Sequence, residues 1–143
     1  PKLAPMTSYN ANPDSPLLAD TANAAVIVVA HGSRNEAANL AHFELVERLR
    51  TLSPGVELRS AFLELAQPSI LSAIDALVEE GIDSIRLLPY FLHPGNHTSR
   101  DLPAAAASAM EQHQGLHVSV SAHFGADPEI VPILAQQVLQ VGR

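Results

Sequence analysis

The chain of 143 residues contains no cysteine. That absence excludes disulfide staples, iron–sulfur clusters, thiolate zinc sites and cysteine nucleophiles, and it fits a reducing compartment, so a cytoplasmic location is expected. Any metal chemistry must then use His, Asp or Glu. Basic residues are few and scattered: eight Lys and Arg against 15 Asp and Glu give a formal charge of −7. A nucleic-acid partner therefore has no electrostatic footprint. Long apolar runs are missing too. The longest, "AAVIVVA" from Ala24 to Ala30, is far short of the roughly 18 residues of a membrane span and reads as a buried strand. No GxGxxG follows it, and neither GxxxxGK[ST] nor GxSxG occurs, so the dinucleotide, P-loop and nucleophile-elbow readings lack their residues.

What the chain does contain is 47% apolar side chains, enough for one ordinary core, and residues 24–143 are expected to form a single domain. Residues 1–23, rich in Pro, Asn, Ser and Asp, do not resemble a secretory signal and are expected to be a flexible arm or an appended segment. From Ala24 onward the pattern repeats. "AAVIVVAH" is followed by the helix-prone "RNEAANLAHFELVERLRTL", "VELRSAFLE" by "PSILSAIDALVEEG", "SIRLLPYFL" by "DLPAAAASAMEQHQG", and "HVSVSAHF" by "DPEIVPILAQQVLQV". Such alternation predicts an α/β fold with a parallel sheet and helices on both faces.

The first and third strands are apolar almost throughout, as strands covered on both sides should be. The second carries Glu57 and Arg59, and the fourth alternates His117, Ser119, Ser121 and His123 with small apolar residues, so both read as edges. Right-handed crossovers then give the order 2-1-3-4, with a topological switch point between strands one and three. His31 directly follows strand one, Glu64 ends strand two and His97 lies just past strand three. These three are expected to converge above the carboxyl edge. Pro89 should end ladder pairing in strand three, and Gly95 should allow the turn that aims His97 inward.

Two imidazoles and a carboxylate suit Fe²⁺, Co²⁺, Ni²⁺ or Zn²⁺, and the same groups can act as bases. Each alone has an ordinary structural explanation, but three at one switch point favour a site. Phe62, Tyr90, Phe91, Leu92 and Leu102 are candidates for an apolar wall, with core packing as the competing role. Ser33, Arg34 and Arg100 are candidates for meeting anionic groups, with helix capping as the competing role for the "GSRNE" and "HTSRD" segments.

"VVAHGSR", "AFLELAQPSI" and "LPYFLHPGNHTSRDLP", in this order and spacing, resemble the small class II chelatases of the CbiX and SirB type. The resemblance runs from about Ala24 to the C-terminus. It implies a chelatase-like, flavodoxin-like half-unit that inserts Co²⁺ or Fe²⁺, with Ni²⁺ also open, into sirohydrochlorin for cobalamin or sirohaem synthesis. It further implies metal contacts from His31 and His97, assistance from Glu64, no cofactor beyond the metal substrate, and a homodimer. Ser33, Arg34, Phe91, Leu92 and Arg100 are the candidate substrate contacts. A metal or tetrapyrrole carrier using the same His pair without turnover, and a metal-assisted hydrolase, are the competing readings. His93 and His123 are either an extra ligand or entry-path group or, the favoured reading, loop and strand-end histidines without a metal, and His42, His113 and His117 read as surface residues.

Overall fold

The computed structural model describes residues 23–142, apart from the side chains of His97 and Thr98. The expected N-terminal arm lies, except for Asn23, outside the described residues. The chain runs β1 (Ala24–Ala30), α1 (Glu36–Leu52), β2 (Glu57–Phe62), α2 (Ile70–Glu79), β3 (Ser84–Pro89), a π-helical turn (His97–Asp101), α3 (Leu102–Gln112), β4 (His117–Val120), a 3₁₀ turn (Phe124–Ala126) and α4 (Ile130–Val138). The four strands form one parallel sheet in the order β2-β1-β3-β4, as the charge and apolar patterns of the strands indicate.

Side-chain alternation divides the core between the two faces of the sheet. Ala25, Ile27 and Val29 of β1, with Ile85 and Leu87 of β3, pack against Ile74 and Leu77 of α2 and Leu102, Ala106 and Ala109 of α3. On the other face Val28, Leu58 and Val46 of α1 form a smaller cluster with Val26, Leu49 and Leu88. Fully burying a Val, Leu or Ile side chain contributes about 1.5–3 kcal/mol, so the larger cluster supplies most of the hydrophobic stabilisation. Edge strand β2 is charged: Arg59 pairs with both Glu57 and Glu80, which discourages pairing with another sheet.

Local chemistry sets the helix ends. The side-chain oxygen of Asn35 accepts from the Ala37 amide at 3.0 Å and caps α1. Ser69 does the same for α2, accepting from the Ser72 amide at 3.1 Å. After α2, Gly81 at φ +95° makes the left-handed exit that glycine permits. Among the described residues, no helix is long and apolar enough to cross a membrane.

Several boundaries differ from expectation. β2 stops at Phe62, β3 at Pro89 and β4 at Val120. Glu64 therefore lies beyond its strand, and His123 belongs to the loop entering the 3₁₀ turn. His42, expected on the surface, is 5% exposed. Its Nε2–H donates to the Val28 carbonyl at 2.9 Å, and its ring lies against Phe62 and Tyr90. One hydrogen bond and two aromatic neighbours thus place an imidazole where α1 would otherwise present an aliphatic residue. Nδ1 is left buried without a partner. His113 is partly exposed and pairs with Asp75 at 2.7 Å, while His117 is exposed. Gly95 does not adopt positive φ, so its turn does not depend on glycine.

Candidate active site

The carboxyl ends of β1 and β2 remain paired past the strands themselves. The Leu63 amide donates to the Ala30 carbonyl at 3.0 Å and the Glu64 amide to the His31 carbonyl at 3.1 Å. At Gly32, φ is +97°, and a β-carbon there would stand 1.7 Å from the Glu64 carbonyl oxygen. The two backbones approach so closely that only glycine fits. This contact fixes Glu64 relative to His31.

The side chains meet as a consequence. His31 Nε2 lies 3.6 Å from Glu64 Oε2, with the two side chains 49% and 50% exposed. That distance is too long for a hydrogen bond. Two donors bound at about 2.1 Å to one first-row divalent ion are separated by roughly 3.0–3.6 Å, according to the angle between them. The pair's 3.6 Å separation falls at the upper end of that range. The Phe91 ring packs edge-on to His31, with centroids 6.4 Å apart.

His97 opens the π-helical turn His97–Asp101 that runs into α3. Its backbone thus follows the loop after β3, and its side chain lies outside the described residues. Among the described residues, no group of three or more His, Asp or Glu is arranged to hold a metal, so the expected triad is represented here by the His31–Glu64 pair. Single-turn π segments recur at functional sites in helical proteins.

The candidate substrate residues divide. Phe62 and Leu102 are 1% and 0% exposed and belong to the core. Tyr90 and Leu92 are 45% and 61% exposed, while Phe91 is partly buried against the main core. Ser33 is held by Asn39, whose side chain accepts from the Ser33 amide at 3.0 Å and donates to its carbonyl at 2.8 Å. Ser33 Oγ in turn accepts from the Asn35 amide at 3.0 Å, and the capping role of this segment falls to Asn35. Arg34 and Arg100 are exposed. The loop after β3 is pinned at Leu92: the Gly125 amide donates to the Phe91 carbonyl at 2.8 Å, and a β-carbon on Gly125 would stand 1.6 Å from the Leu92 carbonyl oxygen. His93 lines a cavity of about 350 Å³ with Leu92, Phe124 and α4.

Three features are not evident from the sequence patterns. Gly32 is the contact that sets the pair. Asp101 lines, with Glu64, Leu63 and Ser69, a cavity of about 270 Å³; its spacing of four residues from His97 was the available signal. Leu65 takes φ +66° immediately after Glu64, and nothing in its residue type foretells that.

Sheet order and the imidazole–carboxylate pair define an α/β protein with its candidate chemistry at the carboxyl edge of the central strands. More narrowly, the chain belongs to the CbiX family, whose model matches residues 25–141. It is 29% identical over 113 residues to a chloroplastic sirohydrochlorin ferrochelatase of Arabidopsis thaliana, covering 79% of this chain and 50% of that protein. It is 30% identical over 118 residues to a sirohydrochlorin cobaltochelatase of Sulfurisphaera tokodaii, covering 82% of this chain and 93% of that one. The structure of the sirohydrochlorin chelatase SirB from Bacillus subtilis subspecies spizizenii in complex with cobalt superposes with a TM-score of 0.75 at 26% identity, over 85% of this chain and 52% of that one. The chain thus spans about half the length of the Arabidopsis and Bacillus proteins and nearly all of the Sulfurisphaera one.

Proposed function

We propose that this protein inserts Co²⁺ or Fe²⁺ into sirohydrochlorin. The observation that carries the reading is family membership over residues 25–141, joined to relatives named for both metals. Insertion replaces two pyrrole N–H protons with one M²⁺ and releases two protons. His31 and His97 are assigned as the groups that present the ion, and Glu64 as an acceptor that passes protons to water. The 3.6 Å spacing of His31 and Glu64 supports a shared ion. The half exposure of both side chains supports access for a flat ring. Arg34 and Arg100, both exposed, are assigned to the carboxylates at the ring's edge, and Leu92 and Phe91 to its apolar face. No cofactor beyond the metal substrate is invoked, and the reaction is placed in the cytoplasm.

We further propose that the working unit is a homodimer. α4 has no buried residue, and Val131, Ile133, Leu134, Val138 and Leu139 are each at least 60% exposed. A short helix with its apolar side chains in water gains stability from being covered. A flat macrocycle is also wide for the edge of one four-stranded sheet.

The test is Glu64→Gln. Co²⁺ binding, followed by calorimetry, should persist, while metal insertion slows by about 10²–10⁴-fold. Equal insertion rates for variant and wild type would remove Glu64 from the mechanism. Metal binding without any turnover in the wild type would favour a carrier.

A further inference from the structure

Metal insertion as proposed above releases two protons, and a carboxylate takes one at a time. Glu64 must therefore be emptied within each turnover. A flat ring lying over His31 and Glu64 covers the half-exposed side of that pair, so the protons have to leave on another side. The structure offers one. Glu64 also lines a cavity of about 270 Å³ whose walls include Ser69 and Leu71 at the amino end of α2, and Asp101 and Ala105 at the amino end of α3. One molecule of liquid water takes up about 30 Å³, so the cavity has room for a short file of them. Asp101 is exposed and connects it with solvent.

Asp101 stands just before α3, at a position where aspartate commonly caps a helix through its side chain from an extended backbone. Asn35 and Ser69 do so for α1 and α2. At Asp101 the backbone is already helical, with φ −71° and ψ −39°, and the side chain makes no capping bond. It lines the cavity with Glu64 instead.

We infer that this cavity is the proton exit of the reaction, with Asp101 as the relay between its water and solvent. The inference rests on the proposed function and deepens it. As each pyrrole N–H bond breaks, its electron pair stays on nitrogen for the ion and the proton passes to the Glu64 carboxylate. Glu64 gives the proton to a water in the cavity, that water passes one to Asp101, and Asp101 releases it to bulk water. Two such passages return both carboxylates to their starting state and account for both protons. Asp101 touches neither the ring nor the ion; it acts through Glu64 and is a positioning residue for the file of water.

The experiment follows single-turnover metallation of sirohydrochlorin by Co²⁺ anaerobically, with protein in excess, in H₂O and D₂O. Wild type, Asp101→Asn, Asp101→Glu and Ala105→Leu are compared, with Co²⁺ and sirohydrochlorin affinities and Tm measured in parallel. Asp101→Asn should keep both affinities within about twofold and slow metallation roughly ten- to hundredfold, at or below the lower end for loss of a direct acid–base group. Its solvent isotope effect should rise, because proton exit becomes limiting. Asp101→Glu restores the carboxylate and should recover the rate to within about threefold. Ala105→Leu keeps both carboxylates but puts a bulkier side chain into the cavity, and should also slow metallation. A wild-type rate in Asp101→Asn, or in a folded Ala105→Leu, overturns the exit. So does a loss in Asp101→Asn that comes with an equal loss of Co²⁺ affinity and an unchanged isotope effect, which would make Asp101 a support of the metal site. Wild type that metallates no sirohydrochlorin removes the proposed function and the exit together, whereas wild-type turnover that these variants leave untouched removes the exit alone.

Discussion

Gly32→Ala should damage fold and site by one identifiable contact. The added β-carbon would stand 1.7 Å from the Glu64 carbonyl oxygen and 2.9 Å from its carbon, whereas even a close C–H···O contact has its carbon about 3.3 Å from the oxygen. The segments after β1 and β2 must therefore part by roughly 1.5 Å. Parting them breaks or stretches the 3.1 Å bond from the Glu64 amide to the His31 carbonyl, at a net cost of about 1 kcal/mol. Alanine held near φ +97° adds about 1–2 kcal/mol. Together the expected destabilisation is about 2–3 kcal/mol, or on the order of 10 °C in Tm for a domain of this size. The His31–Glu64 spacing changes by a comparable distance, and an error near 1 Å in a reacting group can cost about 10²-fold in rate. Thermal unfolding and anaerobic metallation kinetics measure the two effects. A Gly32→Ala protein with Tm within about 2 °C of wild type and a rate within about twofold would refute the claim that this backbone contact sets the pair.

His42 should make stability depend on pH. Burial lowers its pKa from 6.5, partly opposed by the bond to the Val28 carbonyl. The folded state then binds fewer protons than the unfolded one, so stability is complete above about 6.5 and falls as pH drops from there towards the lowered folded value. The decline due to this group cannot exceed about 1.4 kcal/mol per pH unit. Urea unfolding of wild type and His42→Leu between pH 7.5 and 5 should show a shallower loss in the variant, and parallel curves would contradict the assignment. On α4, Leu134→Asp with Val138→Asp should shift a dimer to monomer in light scattering with little change in the circular dichroism of the sheet. An unchanged mass would place any dimer contact elsewhere.

Much of the fold was legible because the strands differ in kind. "AAVIVVA" can only be covered on both sides, and Glu57, Arg59, His117 and Ser119 mark edges. Part of the site followed from that order, since His31 and Glu64 come after neighbouring strands and do meet. What escaped depends on contacts between distant backbones. The role of Gly32 requires knowing that Glu64 passes beside it, and the strain at Leu65 arises from closure of the segment after β2. His42 is polar by composition, and only the approach of Phe62, Tyr90 and the Val28 carbonyl makes a buried place for it. By the strand–helix alternation α4 is expected to cover a face of the sheet, yet none of its residues is buried.

The most direct test of the central claim is anaerobic incubation of the purified protein with sirohydrochlorin and either Co²⁺ or Fe²⁺, following the absorption spectrum against protein-free, His31→Ala and His97→Ala controls. Metallation faster than the protein-free rate, and lost in both variants, is the expected result; the ratio of the two metal rates would then indicate the preferred substrate. A spectrum that changes no faster with wild-type protein than without it would contradict the chelatase reading.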